Sequence, residues 1–388
     1  GDRSDKLKIA NVVLNDFTRD NRVLKITLAL TEMGHHVSVG ALHRQGMELH
    51  EMHPKGFEIV RMTIASPQRK LFAGIKWLEL AFRFVRKFRK YDVWHCNDVE
   101  AFAFGILAKL TRPKLKLVYD CHEFESERNA KPFGMNPLTR VFEELFIQFA
   151  EEVFTVSPSI FNAYKTRYKK RGLKQLSLLR NVPNKRIATG LDGPLRKQLG
   201  LTDSNFIAIY QGALTWNRGV ETLLKMSERL KGTNIHLVFM GYGPLESAVV
   251  SLASVHSNIH FQPAVQYEQV LDYTGDADLG LVSVNPVCLS YRYCLPNKLF
   301  ESIQAGIPVL VNSLPDCVQL IETFGIGKEV RQNDSDGWFE AIEEASKKEP
   351  AWKTQAQSGF LSAQEALNWE TEVEILKKAY ARLQTGLK

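Results

Sequence analysis

The sequence lacks the features that would mark a membrane span, a disulfide-stapled scaffold or a disordered tail. No apolar run approaches the ~20 residues needed to cross a bilayer, and the opening residues have no apolar core of a secretory signal. The five cysteines, Cys96, Cys121, Cys288, Cys294 and Cys317, are odd in number and show no CxxC spacing. That argues against both a disulfide framework and a structural zinc site, and it fits a reducing, cytoplasmic setting. There is no low-complexity tract and no short structural repeat.

What is present is an ordinary globular composition, 44% hydrophobic and 24% charged, over 388 residues. A chain of that length exceeds the ~250–300 residues at which single cores stop growing, so two domains are expected. The formal net charge of +7 is concentrated in the first half, in KWLELAFRFVRKFRK (76–90) and YKTRYKKRGLK (164–174). Such basic patches attract nucleic acid, anionic lipid or phosphorylated substrates, and charge alone does not choose among them.

Apolar runs alternate with helical patterns throughout. KIANVVLN (8–15) reads as a strand. Val23, Ile26, Leu30 and Met33 then recur at helical spacing until Gly34, and HVSVGAL resumes as a strand. The alternation continues through YDVWHCND, AFAFGILAKL, KLKLVYDCHE and VFTVS, which indicates a doubly wound parallel sheet. It lapses near Asn181-Val182-Pro183-Asn184 and restarts with FIAIYQGAL, IHLVFMGYG, NIHFQP, ADLGLVSV and IPVLVN. Residues 1–183 and 184–364 are therefore predicted to be two Rossmann-like domains, with 365–388 a C-terminal amphipathic helix. In open sheets of this kind ligands bind beyond the carboxyl ends of the strands, which directs attention to those loops.

The most informative segment is RYCLPNKLFESIQAGIPVLVN (292–312). A helix beginning at Asn297, after Pro296, offers its first N–H groups and positive dipole end to an anion, and Lys298 adds a full charge. Glu301 lies one turn on, where a carboxylate can accept hydrogen bonds from ribose hydroxyls. An exposed Lys/Glu surface pair fits the same spacing. In QGALTWNRGVETLL, Gly212 permits close backbone approach after a strand, and Arg218 precedes the glycine that opens a helix. There it could clamp phosphate oxygens or simply be solvated.

The segment 292–312 resembles the signature region of the retaining glycosyltransferases of family four. Glu301 matches the second glutamate of their Glu-x7-Glu motif, and Ala305-Gly306-Ile307-Pro308-Val309 matches the sequel. The first glutamate is replaced by Tyr293. Arg218-Gly219 is similar to the family's diphosphate-holding pair, although the family's other basic residue is Gly212 here. Phe239 to Pro244 resembles its glycine turn, bringing Gly241 and Tyr242 to the donor. The loop at Val265 matches the place where the base is held by backbone groups.

In the first half, DFTRDNRVLK, HCND and YDCHE look like the family's acceptor-side loops, which nominates Asn15, Arg22, His95, Asp98, Asp120, His122 and Glu123. A histidine such as His122 can hydrogen-bond a sugar hydroxyl or offset charge on a leaving phosphate, but a lone histidine is often structural. The resemblance implies a GT-B fold, two Rossmann-like doubly wound parallel-sheet domains facing a central cleft. It also implies transfer of a sugar from a nucleoside diphosphate sugar, UDP favoured over GDP, to a glycan or lipid-linked acceptor with retention of configuration. Arg218, Lys298 and His122 are the residues expected to carry the chemistry.

Two Asp-x-Asp strings, Asp276-Ala277-Asp278 and Asp334-Ser335-Asp336, read as caps and turns because no further ligand completes an oxygen shell around them. Neither a metal nor a cofactor is expected, and no nucleic-acid partner. The basic helix after position 76 suits peripheral contact with an anionic membrane surface at the inner face, and equally a solvated outer face. Two rivals share the fold: a nucleotide-sugar 2-epimerase, and a non-catalytic partner subunit suggested by Tyr293.

Overall fold

The apolar runs become the strands of two sheets. The computed structural model describes residues 6–65, 70–129, 135–187, 191–348 and 351–386. The chain divides into two compact units, Gly1–Arg180 with Val373–Lys388, and Asn181–Glu372.

In the first unit the strands are β1 (Lys8–Val12), β2 (His36–Leu42), β3 (His50–Met52), β4 (Glu58–Met62), β5 (Val93–Asn97), β6 (Lys116–Asp120), β7 (Glu152–Thr155) and β8 (Gln175–Leu178). They lie in the order β3-β4-β2-β1-β5-β6-β7-β8. All neighbours run parallel except β3, which pairs antiparallel with β4 and edges the sheet. That edge was not legible. His50-Glu51-Met52 is too short and too polar to announce a strand, and its pairing with β4 defines it.

Helix boundaries follow local chemistry. The helix Asn21–Glu32 begins where the Asp20 side chain accepts from the Val23 N–H, 3.1 Å away, satisfying one of the orphan donors of a helix start. It ends before Gly34, whose φ of 90° suits glycine. The helix Ala73–Phe88 buries Leu80, Ala81, Phe84 and Phe88 against Phe104 of the next helix. Each such buried aromatic contributes roughly 1.5–3 kcal/mol. Its other face leaves Ile75, Leu78 and Phe82 exposed beside Arg83, Arg86 and Lys87. Among the described residues no helix is long and apolar enough to cross a membrane.

The second unit holds β9 (Phe206–Ala213), β10 (Ile235–Tyr242), β11 (Ile259–Pro263), β12 (Leu279–Val282), β13 (Val309–Asn312) and β14 (Gly327–Val330), ordered β11-β10-β9-β12-β13-β14. All described pairings in it are parallel. β12 and β13 are buried along their whole lengths, as expected of strands covered on both faces. The chain leaves β9 in one direction to β10 and β11 and returns on the other side at β12, so the topological switch of this sheet lies between β9 and β12.

Candidate functional site

The β9/β12 switch gathers most of the second-unit residues singled out in the sequence. Beyond β9, the chain turns through Asn217 (φ 63°) and Gly219 (φ 89°) before the helix Val220–Lys225. The left-handed conformation at Gly219 is tied to packing as well: a Cβ there would stand 2.3 Å from the Ser283 hydroxyl oxygen and 2.4 Å from the Ser283 carbonyl oxygen, just past β12. The Asn285 N–H donates to the Asn217 carbonyl at 3.0 Å. The Arg218 loop is thus pinned to the end of the neighbouring strand, and the Arg218 guanidinium lies 4.1 Å from the centre of the Tyr291 ring.

Lys298 occupies the first turn of the helix Asn297–Ala305, which follows Pro296 and stops at Gly306 in the left-handed conformation. The side chain is 7% exposed and its ammonium lies 3.8 Å from the centre of the Tyr210 ring. A Cβ on Gly212 would be 3.5 Å from its Cε. Glycine at 212 therefore leaves the strand end open beside the ammonium. Gly241 pairs with Gly212 across the strands, and a Cβ at 241 would meet the Gly212 carbonyl oxygen at 1.8 Å. Close backbone approach demands glycine at 241, and the φ of 127° favours it at 212.

Burial, and next the Arg218 charge, push the Lys298 ammonium down to about 7, against weaker opposing pulls from Cys294 and Glu301. Burial likewise pushes the Cys294 thiol up to about 11. Glu301 lies next to Tyr267, whose hydroxyl is raised first by burial and then by the Glu301 carboxylate. Val265, two residues before, packs against the core built on Leu195, Ile207 and Met240, which fixes the backbone of that loop. Tyr242 stands exposed at the end of β10. Tyr293 caps the short helix Leu289–Arg292. The Asn297 carboxamide oxygen accepts from Asn181 at 2.7 Å.

Two cations, a helix start and two bare glycine backbones converge here. The combination suits a group with several negative oxygens, since both charge and N–H donors are supplied. Tyr210 and Tyr291, which carry the two cations on their faces, were not foreseen. Neither is adjacent in sequence to the cation it supports, and only the fold brings them together. Ser283 was also missed: among the described residues its buried hydroxyl has no hydrogen-bond partner.

In the first unit, Arg22, His95, His122 and Asp98, among the predicted acceptor-side residues, form a continuous network around Asp120. Arg22 donates to Asp120 from Nη2 at 2.7 Å and to the Leu179 carbonyl from Nη1 at 2.9 Å. His95 bridges Asp120 and the Tyr380 hydroxyl, each at 2.9 Å. His95 and Asp120 are 0% exposed and Arg22 3%. These three therefore lie behind the surface, with Asp120 beside His122. His122 is the partly exposed member, its Nε2 lying 2.9 Å from the Asn97 oxygen and 3.7 Å from Asp120.

Asp98 takes a φ of 66°, which is strained for a non-glycine residue, and accepts from the His122 N–H at 3.2 Å. Burial would lower His122, but the charges of Asp98 and then Asp120 win and raise it to about 9. Burial alone would raise Asp120, yet Arg22 and His122 hold it well below the carboxylate range. Burial lowers His95, so it stays neutral. Glu125, another member missed in the sequence, is fully buried and is pushed well up by burial and by Asp98. Asn15 receives the Phe17 N–H and donates to Asp20, both at 2.9 Å, while Glu123 sits half-buried after His122.

The Asp-x-Asp strings are occupied by the fold. Asp276 accepts from the Arg196 N–H at 2.7 Å, and Asp278 pairs with the Arg196 guanidinium at 2.8 Å. Asp334 caps the Gly337 N–H at 2.8 Å.

The family described as Glycosyltransferase Family 4 matches residues 20–173, and the family described as Glycosyl transferases group 1 matches residues 205–348. No curated protein is significantly similar to the chain in sequence. Among solved structures, sucrose-phosphate synthase from Thermosynechococcus elongatus is similar over 98% of this chain and 100% of its own, at 18% identity and a TM-score of 0.78. HepE from Anabaena, solved with UDP and glucose, is similar over 97% of this chain and 99% of its own, at 15% identity and 0.74. WaaG, a glycosyltransferase involved in lipopolysaccharide biosynthesis, is similar over 95% and 99%, at 16% identity and 0.63. The fold they share with the chain is GT-B.

Proposed function

We propose, from the premise that this chain belongs to the group 1 glycosyl transferases and is a glycosyltransferase of the GT-B fold, that it transfers a sugar from a nucleoside diphosphate sugar to a hydroxyl of a glycan or lipid-linked acceptor, retaining anomeric configuration and needing no metal. The observation that carries this reading is the pairing of Arg218 with buried Lys298 at the start of the helix Asn297–Ala305, where two glycines leave room for a diphosphate. Glu301 takes the ribose hydroxyls, the backbone at Val265 the base, and Gly241 and Tyr242 border the donor. Uridine is favoured, with guanosine second. HepE, which shares the fold, was solved with UDP-glucose.

In this reading the bond from the anomeric carbon to the diphosphate breaks, and negative charge grows on the leaving oxygens. Lys298, Arg218 and the helix N–H groups are already in place to stabilise it, which is the most economical form of catalysis available to a fixed site. The departing diphosphate takes the acceptor proton as the new glycosidic bond forms. His122 does not serve as a base. With its ring raised to about 9 it is an imidazolium at neutral pH, able to donate a hydrogen bond to a sugar hydroxyl and held in place by Asp98 and Asp120.

The exposed Ile75, Leu78 and Phe82, next to a basic helix end, favour peripheral contact with anionic lipid on the cytoplasmic face. The test of the reaction is incubation with UDP- and GDP-sugars, with and without saccharide or lipid-linked acceptors, followed by NMR of the anomeric protons. Acceptor-dependent transfer with retention is expected. Conversion of the donor alone would reveal an epimerase. Nucleotide binding without turnover would mark a non-catalytic subunit, the reading that Tyr293 motivates.

A further inference from the structure

The loop after β9 carries an indole that the donor contacts proposed above do not use. Trp216 is 56% exposed, and among the described residues its side chain has no hydrogen bond and no ring contact. The backbone that holds it out is pinned. The Leu214 N–H donates to the Tyr242 carbonyl and the Leu245 N–H to the Leu214 carbonyl, both at 2.8 Å, and the Asn217 N–H donates to the Glu221 carboxylate at 3.2 Å. The loop after β12 closes on it twice, at the Asn217 carbonyl through Asn285 and at Arg218 through the Tyr291 ring. Between those two ties the second loop carries Val287 and Leu289, both exposed. Val287 is itself set in a turn, its N–H donating to the Asn285 carbonyl at 2.8 Å.

Apolar side chains held out together on a fixed backbone mark a contact surface, and the order of the sheet says which part of the reaction reaches this one. The strands run β11-β10-β9-β12. With neighbours ~4.8 Å apart, the loops of β9 and β12 lie roughly 10–14 Å across the sheet from the loop at Val265 that follows β11. A nucleobase held at Val265 does not span that interval. The diphosphate, at Arg218 and Lys298, does reach this side, so the rim borders the end of the donor from which the glycosyl group departs. Nor does the rim suit a bare sugar. A pyranose carries a hydroxyl on most of its carbons and needs polar partners, which Val287 and Leu289 do not offer. These two aliphatic side chains extend the apolar surface past what a single ring stacked on the indole would cover.

We infer that Trp216, Val287 and Leu289 form a subsite for an apolar aglycone, so that the acceptor hydroxyl belongs to a head group joined directly to a lipid chain and not to a free glycan. An alkyl chain laid on the rim takes apolar area out of water on both partners, and because that gain is non-directional it needs no polar side chain there. Arg218 and Lys298 lie beside the rim, so the polar head of such an acceptor meets the leaving diphosphate while its chain runs over the indole. The acceptor role rests on the transferase reading; binding of an alkyl chain at the rim does not.

The test is acrylamide quenching of tryptophan emission on the full chain, taken as the difference between the natural chain and Trp216→Phe so that only the indole at 216 is followed. The probes are octyl glucoside, octyl galactoside and octyl mannoside below micelle formation, with and without UDP. They are set against the methyl glycosides of the same sugars and against UDP-glucose and UDP-N-acetylglucosamine alone. At least one octyl glycoside is expected to reduce the quenching about twofold and shift the emission to the blue, as removal of the indole from water would. The methyl glycosides and the nucleotide sugars are expected to do neither. Val287→Ser is expected to weaken the octyl probe about fivefold, as loss of part of one apolar side chain's cover would, while UDP binds as before and shows the variant to be folded. No protection by any octyl glycoside, equal protection by the methyl glycosides, or a Val287→Ser variant that binds the octyl probe as the natural chain does would each overturn the subsite. Protection by a nucleotide sugar alone would overturn it too, by giving the indole to the donor. Protection by an octyl glycoside in a chain that fails to bind UDP would keep the rim and sink the transferase reading instead.

Discussion

Lys298 is the residue whose environment makes the sharpest prediction. Its ammonium is buried on the face of Tyr210 and sits at about 7, so at neutral pH about half the molecules carry the charge. A bound diphosphate supplies the missing counter-charge and draws the group back toward its ordinary range, so donor binding takes up a proton. Uptake should be near zero below pH 6, close to half a proton at pH 7, and approach one at pH 8.5. The corresponding affinity for UDP falls by roughly fifteenfold from pH 7, where half the lysine is already neutral, to pH 8.5, since well above the free value each pH unit costs ~1.4 kcal/mol. The nucleotide's own terminal phosphate, with a pKa of about 6, is mostly ionised over that interval. The assay is calorimetry in two buffers of different ionisation heat, from pH 6 to 8.5, with Lys298→Met alongside.

The same shift has a stability sign. The folded value of about 7 lies below the ordinary 10.5, so between those values the unfolded chain holds more protons and stability rises with pH. At pH 7 and below, the full cost of the buried ammonium is present, on the order of a few kcal/mol. Lys298→Met should therefore melt several degrees higher at pH 6 while binding UDP at least tenfold more weakly, as expected where a site is held at the expense of stability. Proton uptake that is absent at pH 8, or unchanged in Lys298→Met, would refute the reasoning.

Gly219→Ala combines a left-handed backbone with a Cβ 2.3 Å from the Ser283 hydroxyl. It should destabilise the second unit by roughly 2–3 kcal/mol in urea titration and weaken UDP, because the loop holding Arg218 has to move. The His122 ring, followed by NMR, should titrate near 9 in the natural chain and lower in Asp98→Asn; a value near 6.5 in both would remove the imidazolium from the proposal. Sedimentation with vesicles containing anionic lipid should capture the natural chain, and Leu78→Glu with Phe82→Glu should release most of it. Capture that is unchanged would mean the helix Ala73–Phe88 has a different purpose.

The strand and helix alternation was readable because it is local. Val23, Ile26 and Leu30 mark one buried face, and Gly34 and Gly306 end helices by their own conformational freedom. The helix start at Asn297 and its Lys298 were readable for the same reason. What surrounds them was not. Tyr210 lies 88 residues before the lysine it supports, and Tyr380 lies 285 residues from the histidine it meets. The burial of His95, Asp120 and Arg22 shows the limit most clearly. Nothing local marks a polar residue of a strand or of the helix after it as buried, and here the fold packs all three together behind His122. The β3 edge escaped because the segment 43–65 mixes short polar stretches with no period to follow.

The measurement that bears most directly on the site is calorimetric titration of UDP and GDP into the natural chain, Arg218→Ala and Glu301→Ala. One molecule of UDP should bind per chain, more tightly than GDP, and both substitutions should weaken it by about tenfold or more, as loss of a charge-assisted contact would. No heat with either nucleotide, or binding that neither substitution alters, would contradict the placement of the donor at the β9/β12 switch.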